Sequence, residues 1–339
     1  PLIGFSQTMQ TYHSVNSNSD SLLTKQEVKE RLYKKSDKNV TVPYPIIFIH
    51  GLNGNWASWQ DFCGNGSSTI GLNDWGWSFG GFLDFCLNSC DAYSMQDYCN
   101  LSCDINDLTS PLSNADYYVI DFDCEINSCT GSGSSVRSNK AAIILGGRAL
   151  GMAIDNVLNV TGKEKVILMG HSMGGLTARE YLQNSSHWIG STHRVAKLVT
   201  SGTPHGGSNA SLAGFSVEWS EAVRDLRRSY FNGSNLPGAY LYGGMYETHI
   251  NINNGSNYYN VDVNCDGDEL DLVVGLNTKA LPNNLDFSFI VSDYFGNGSD
   301  GVVGPYYADL SNYYTNISHS ELFDASSYVH SSTFSQLGT

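Results

Sequence analysis

Val166-Ile-Leu-Met-Gly170-His-Ser172-Met-Gly174-Gly-Leu-Thr-Ala-Arg-Glu-Tyr-Leu182 is the stretch that decides how this chain folds. Its start, Val166–Met169, is apolar and too short for a core helix, so it reads as a buried strand. Its end, Leu176–Leu182, reads as a helix. Between them, Gly170-His171-Ser172-Met173-Gly174 matches G-x-S-x-G, a very sharp strand-to-helix turn that lifts a serine out of the backbone. A hydroxyl is a poor nucleophile unless it is exposed and has a base beside it, and the turn supplies the exposure. Only glycine tolerates the crowding two residues either side. In a chain with 35 glycines the pattern alone says little. The strand before it and the helix after it give it meaning.

Working outward, Pro45–His50, Asp116–Phe122, Lys165–Gly170, Val195–Ser201 and Asp286–Ser292 read as buried strands. Between the second and third, Ala142, Leu145, Ala149 and Met152 share one helical face, and Thr161-Gly162 ends that helix. Strand and helix in alternation give an α/β fold, with a mostly parallel sheet covered on both faces. No repeat or linker divides residues 1–339, so a single domain is expected. Residues 1–40 look peripheral, with a charged, helical stretch at Glu27–Lys38. Two segments break the rhythm. Residues 53–115 hold Trp56, Trp59, Trp75, Trp77 and five cysteines, and read as a lid or pocket wall. Residues 206–285, with Trp219, Val223, Leu226 and Tyr230 on one helical face, read as a cap. Both follow strand C-termini, where such sheets keep their sites.

The 339 residues can bury a large core, and no apolar run reaches the roughly 20 residues of a membrane helix. A formal charge of −15, from 33 acidic and 18 basic residues, repels phosphate backbones, which argues against nucleic acid as a partner. Eight cysteines in Gly/Ser/Asn-rich surroundings read as disulfides, and so as a secreted, extracellular protein. Cys86, Cys90, Cys99 and Cys103 are expected to form links among themselves. Cys265 is expected to pair with Cys63 or another cysteine. Zinc is disfavoured, because no C-x2-C knuckle and no clustered histidine accompany them. The chain opens at Pro1 rather than Met, as it would after loss of a leader.

A serine nucleophile needs oxyanion donors and a base. The N–H of Met173, at the start of the following helix, is the first donor. The second is expected from His50-Gly51-Leu52-Asn53-Gly54, at Leu52, with Asn53 as the alternative. The acid and then the histidine should follow the serine in sequence. Asp300, in Ser299-Asp300-Gly301, lies on a loop after the strand at 286–292, and Asp293 is its alternative. His319 follows a strand-like Tyr313–Ile317 run and is the expected base. His330, within a helical Ala325–Leu337, is expected to be structural. His171 adjoins the serine, but neighbours on such a turn point apart.

Gly-His-Ser-Met-Gly-Gly-Leu with Ala178-Arg179-Glu180-Tyr181 resembles secreted bacterial lipases and esterases of the α/β-hydrolase superfamily. So do His50-Gly51-Leu52, Thr203–Ser208, Ser299–Val303, and His319 followed by Glu321. The resemblance implies an α/β-hydrolase fold and a Ser172, Asp300, His319 triad. It also implies an oxyanion hole at Leu52 and Met173 and hydrolysis of small-molecule or lipid acyl esters. His205 receives no catalytic role. The cysteine-rich insert 63–129 departs from the best-studied members. A polyester depolymerase or an acyltransferase would use the same triad, and a non-catalytic binding module would have lost a member of it.

The chemistry requires no cofactor. Asp262, Asn264, Asp266 and Asp268 place side-chain oxygens at alternate positions before a turn, as in the first half of an EF-hand loop, and suggest a structural calcium. The twelfth position, Val273, lacks the closing carboxylate. A solvated acidic turn is the alternative. Glu321 occupies the place where related lipases often hold calcium through an aspartate.

Overall fold

The computed structural model describes residues 43–63, 72, 76–88, 103–126, 136–208, 220–229, 237–244, 248–250, 258–260, 264–268, 271–293, 300–315, 317 and 320–324. Eight strands form one sheet: β1 (Ile46–Ile49), β2 (Phe79–Leu87), β3 (Ile105–Asp107), β4 (Tyr117–Asp121), β5 (Val166–His171), β6 (Val195–Ser201), β7 (Asp286–Val291) and β8 (Ser320–Asp324). Their spatial order is β8-β7-β6-β5-β1-β4-β2-β3, parallel throughout except for β3 at the edge. This is the α/β-hydrolase fold, as expected.

β1 lies in the middle, and all four of its residues are buried because both faces of the sheet are covered. Ile47 and Ile49 enter the core on one face and Ile46 and Phe48 the core on the other, the alternation of a strand. The first face is covered by helix α1 (Ile143–Thr161), which packs on helix α2 (Met173–Gln183). α1 is long and apolar enough to cross a membrane, with a mean hydropathy of 1.3, but 67% of that window is buried inside the fold. It is a core helix. Gly162 ends it in the left-handed conformation, at φ 65°, with its N–H on Leu158 O. At its other end, two carboxylates of helix α3 (Glu221–Leu226) take up free backbone donors. Asp225 accepts from Ile143 N at 2.9 Å and Glu221 from Ala142 N at 3.3 Å.

Several expectations need correction. The segment 53–115 is not an insertion outside the sheet, because it contributes β2 and β3 to it. Among the tryptophans, Trp59 is core, its ring centroid 4.8 Å from that of Phe48 with the planes tilted by 43°, while Trp56 is 39% exposed. Trp75, Trp219 and Tyr230 lie outside the described residues, as do Glu27–Lys38 and Ala325–Leu337. Tyr313–Ile317 is not the last strand. Tyr314 turns inward, its hydroxyl meeting Arg179, Gln183 and the carbonyls of Leu276 and Lys279, and the last described strand is Ser320–Asp324.

The cysteines pair across segments. Cys86 joins Cys124, tying the end of β2 to the exit of β4, and Cys103 joins Cys265 across 162 positions. Neither described link lies within the Cys86–Cys103 quartet. By chain entropy, a loop as long as that of Cys103–Cys265 contributes about 5 kcal/mol. Cys63 is a buried free thiol, not the partner of Cys265, and burial pushes it up to about 12 against a lowering contact with Tyr117. Cys90, Cys99 and Cys129 lie outside the described residues.

Candidate active site

β5 ends at His171, and α2 begins two residues later. Ser172 between them takes φ 52° and ψ −125°, and only Asn53 and Cys265 join it as non-glycine residues with positive φ among the described residues. A side chain held there costs about 1–3 kcal/mol and persists only where the surroundings impose it. They do so here. Ser172 N–H donates to Ser201 O of β6 at 2.9 Å, and Gly175 N–H to Ser172 O at 3.1 Å. A Cβ on Gly174 would lie 2.4 Å from Ile49 O and 2.6 Å from His50 O, so the first turn of α2 is pressed against the exit of β1. The parallel register of β1 and β5 sets that contact.

The loop after β1 rests on the serine. A Cβ on Gly51 would come within 2.8 Å of Ser172 Cβ and 3.4 Å of its Oγ, so glycine alone fits. Residues 51–54 form a turn closed by Gly54 N–H on Gly51 O at 3.0 Å, with Asn53 at φ 56°. The Gly51 carbonyl points into this turn, so the Leu52 N–H of the same trans peptide points out of it. Leu52 packs against the cluster containing Met173 and Leu176. The Met173 N–H, first in its helix, has no intrahelical acceptor.

His50 has a role that the sequence reading did not assign. It is fully buried, and its Nε2 accepts from Phe122 N–H at 3.0 Å. The proton therefore sits on Nδ1, which donates to Gly51 O at 2.9 Å. Burial lowers its pKa, outweighing Gly51, Asp121 and Asp123, which raise it. His50 is a neutral strut that fixes the Gly51–Leu52 peptide. Its only sequence signal was the His-Gly pair after a strand.

Asp300 is 2% exposed and lies beyond the C-terminal end of β7. Its Oδ1 accepts from Val302 N–H at 2.9 Å and Val303 N–H at 2.7 Å, while Gly301 takes φ 102°. Ser208 Oγ anchors the same loop by donating to Val302 O. Asp293 is only half-buried at the end of β7. His205 is a second buried neutral histidine, between Thr200 Oγ1 at 3.2 Å and Arg179 Nη1 at 3.4 Å, and burial, with Arg179 beside it, holds its pKa well below the usual value. Neighbouring Glu180 is buried with His187, Asn184, Lys279 and Tyr240 around it. Desolvation raises its pKa, but the His187, Lys279 and Asn184 contacts outweigh that and hold it at about 2.

His319 lies outside the described residues. Ser320, next in sequence, pairs with Phe287 near the start of β7, and Asp324 pairs with Val291 at its end. In the acidic turn, Asn264 Oδ1 accepts from Asp266 N–H and Asp266 Oδ1 from Asp268 N–H, both at 2.9 Å. The alternate spacing thus builds successive side-chain turns, with one oxygen each of Asn264 and Asp266 directed at the chain's own backbone. Asp262 lies outside the described residues, among which no group of three His, Cys, Asp or Glu could hold a metal.

The family model described as PGAP1-like alpha/beta domain matches residues 42–254, well over half of the chain. No curated protein matches. Among solved structures, the lin2722 gene product of Listeria innocua is 15% identical, with 86% of this chain and 88% of that chain covered and a TM-score of 0.44. The mature lipase BlEst2 of Bacillus licheniformis is 17% identical, with 88% and 89% covered and a TM-score of 0.40. Carboxylesterase CesB of Bacillus subtilis is 11% identical, with 98% and 93% covered and a TM-score of 0.39.

Proposed function

This chain belongs to the PGAP1-like alpha/beta domain family, and from that premise we propose that it is a secreted serine hydrolase of carboxylic esters. The observation that carries the reading is Ser172 at positive φ on a strand-to-helix turn, with the Gly51 loop pressed against it. In this mechanism Ser172 Oγ attacks the ester carbonyl while His319 takes its proton and Asp300 orients the imidazole. The Leu52 and Met173 N–H groups receive the oxyanion. The ester C–O bond then breaks, the proton passes from His319 to the leaving alcohol, and an acyl-serine remains. Water, deprotonated by the same histidine, releases the acid.

The single hydrolase domain proposed here takes the walls of its substrate site from segments 53–115 and 206–285. Two disulfides support an extracellular setting. The register of β8 favours a second reading of the base: β8 runs toward the end of the sheet where β5 delivers Ser172, so the histidine beyond it in sequence is His330.

The test is hydrolysis of p-nitrophenyl esters of increasing chain length, in the parent protein and two acid variants. Asp300→Asn should lose activity by orders of magnitude, whereas Asp293→Asn should stay near the parent. The opposite pattern would move the acid to Asp293, and a parent inactive on every ester would remove the hydrolase reading.

A further inference from the structure

We propose that Asn139 and Asp123 form a clamp that positions the oxyanion loop, which makes Asn139 a positioning residue for the ester hydrolysis inferred above. The 51–54 turn is held at two points besides its contact with Ser172. One is the His50 strut. The other is Asn139 Nδ2, which donates to Gly54 O at 2.8 Å and to Asp123 Oδ1 at 3.1 Å. Asp123 Oδ2 in turn accepts from Asn55 Nδ2 at 3.3 Å, so the clamp closes around residues 54 and 55 from two sides. Asn139 is 5% exposed, so its donors are committed to these partners with little competition from water.

The base of the clamp is rigid. Ser138 N–H donates to Cys124 O at 3.0 Å, and Ser138 Oγ donates to Phe122 O. Cys124 is bonded to Cys86 at the end of β2. Phe122 also supplies the N–H that fixes His50. The short segment 121–124, stapled to the sheet, therefore holds both supports of the loop.

The path to the reaction is short. The Gly54 carbonyl is held by Asn139, while the Gly54 N–H closes the turn on Gly51 O. Displacing Gly54 rotates the Gly51–Leu52 peptide and moves the Leu52 N–H away from the place where the oxyanion forms. Such a donor acts on charge that exists only during reaction, so its misplacement lowers kcat and leaves KM nearly alone.

The experiment measures ester hydrolysis, and binding of a trifluoromethyl ketone that adds to the serine as a tetrahedral oxyanion, in four variants. Asn139→Ala and Asp123→Ala should each lower kcat by about 10- to 100-fold with KM within about twofold. Ketone affinity should fall by the same factor as kcat. Asp123→Asn should fall less than Asp123→Ala, because an amide oxygen still accepts from Asn139. The double variant Asn139→Ala/Asp123→Ala should drop no further than the worse single variant, since both remove one clamp. Should Asn139→Ala fail to fold, the two Asp123 variants carry the same contrast. The clamp is overturned if kcat and ketone affinity stay at parent values in the folded variants, or if the loss falls on KM alone. A parent that neither hydrolyses esters nor binds the ketone overturns the hydrolase reading itself, a distinct result.

Discussion

Ser172→Ala should abolish ester hydrolysis, with kcat falling by about 10⁴-fold or more, while the fold survives. The size follows from chemistry, because alanine has no oxygen to form the acyl intermediate. Survival of the fold follows from the contacts that hold the turn. They are made by the Ser172 backbone, through Ser201 O and Gly175 N, and by the missing side chains of Gly51 and Gly174. Alanine preserves all of them. It also inherits the positive φ of 52°, so Ser172→Gly, equally inactive, should melt above Ser172→Ala. Comparing the melting temperatures of the two inactive variants tests whether the backbone at this position is strained.

The second large effect concerns the base. His319→Ala should lower kcat by about 10³-fold or more, and His330→Ala should leave it near the parent value. Two arguments meet at this residue. The sequence expectation, in which His319 is the histidine that follows Asp300, names His319. The register of β8, with Ser320 beside Phe287 and Asp324 beside Val291, favours a histidine that follows the strand, which is His330. Measuring kcat for both alanine variants decides between them. If His330→Ala is the inactive one, the base moves to His330 and the strand register explains why. A base also sets the acidic limb of kcat/KM, so the inactive variant should lose that limb in its residual activity.

Much of the fold was legible because a parallel sheet buried on both faces demands continuous apolar strands. Ile46–Ile49, Val166–Met169 and Val195–Val199 announce themselves in this way. β2 did not, since Phe-Gly-Gly-Phe-Leu-Asp carries two glycines and a charge. The structure shows why: Gly80 lies under the Tyr118 ring, where a Cβ would come within 2.1 Å, and the register shifts between Phe79 and Phe82. The last strand was misplaced by a few residues because Tyr313–Ile317 has strand composition, whereas the side chain of Tyr314 is drawn into the buried polar group around Arg179. Cysteine pairing depends on which segments meet in space, and Cys103 with Cys265 are brought together from 162 positions apart.

The candidate site divides in the same way. Ser172 was legible because its turn forces glycine at fixed offsets, and Gly51 because it directly follows an apolar strand in a glycine-rich loop. The supports of the site were not. His50, Asp123 and Asn139 act through single hydrogen bonds to backbone carbonyls and amides, which leave no periodicity in the chain. The Asp262–Asp268 spacing is ambiguous for a related reason: alternate Asx residues suit calcium ligation and successive turns equally, and the turns at Asn264 and Asp266 are compatible with both.

The most direct test of the central claim is to treat the protein with a fluorophosphonate and map the adduct by mass spectrometry. Reaction at one serine, on the peptide carrying Gly170-His171-Ser172-Met173-Gly174, with hydrolysis lost in proportion to labelling, is the predicted result. Absence of an adduct at Ser172 in protein that still hydrolyses esters would contradict it.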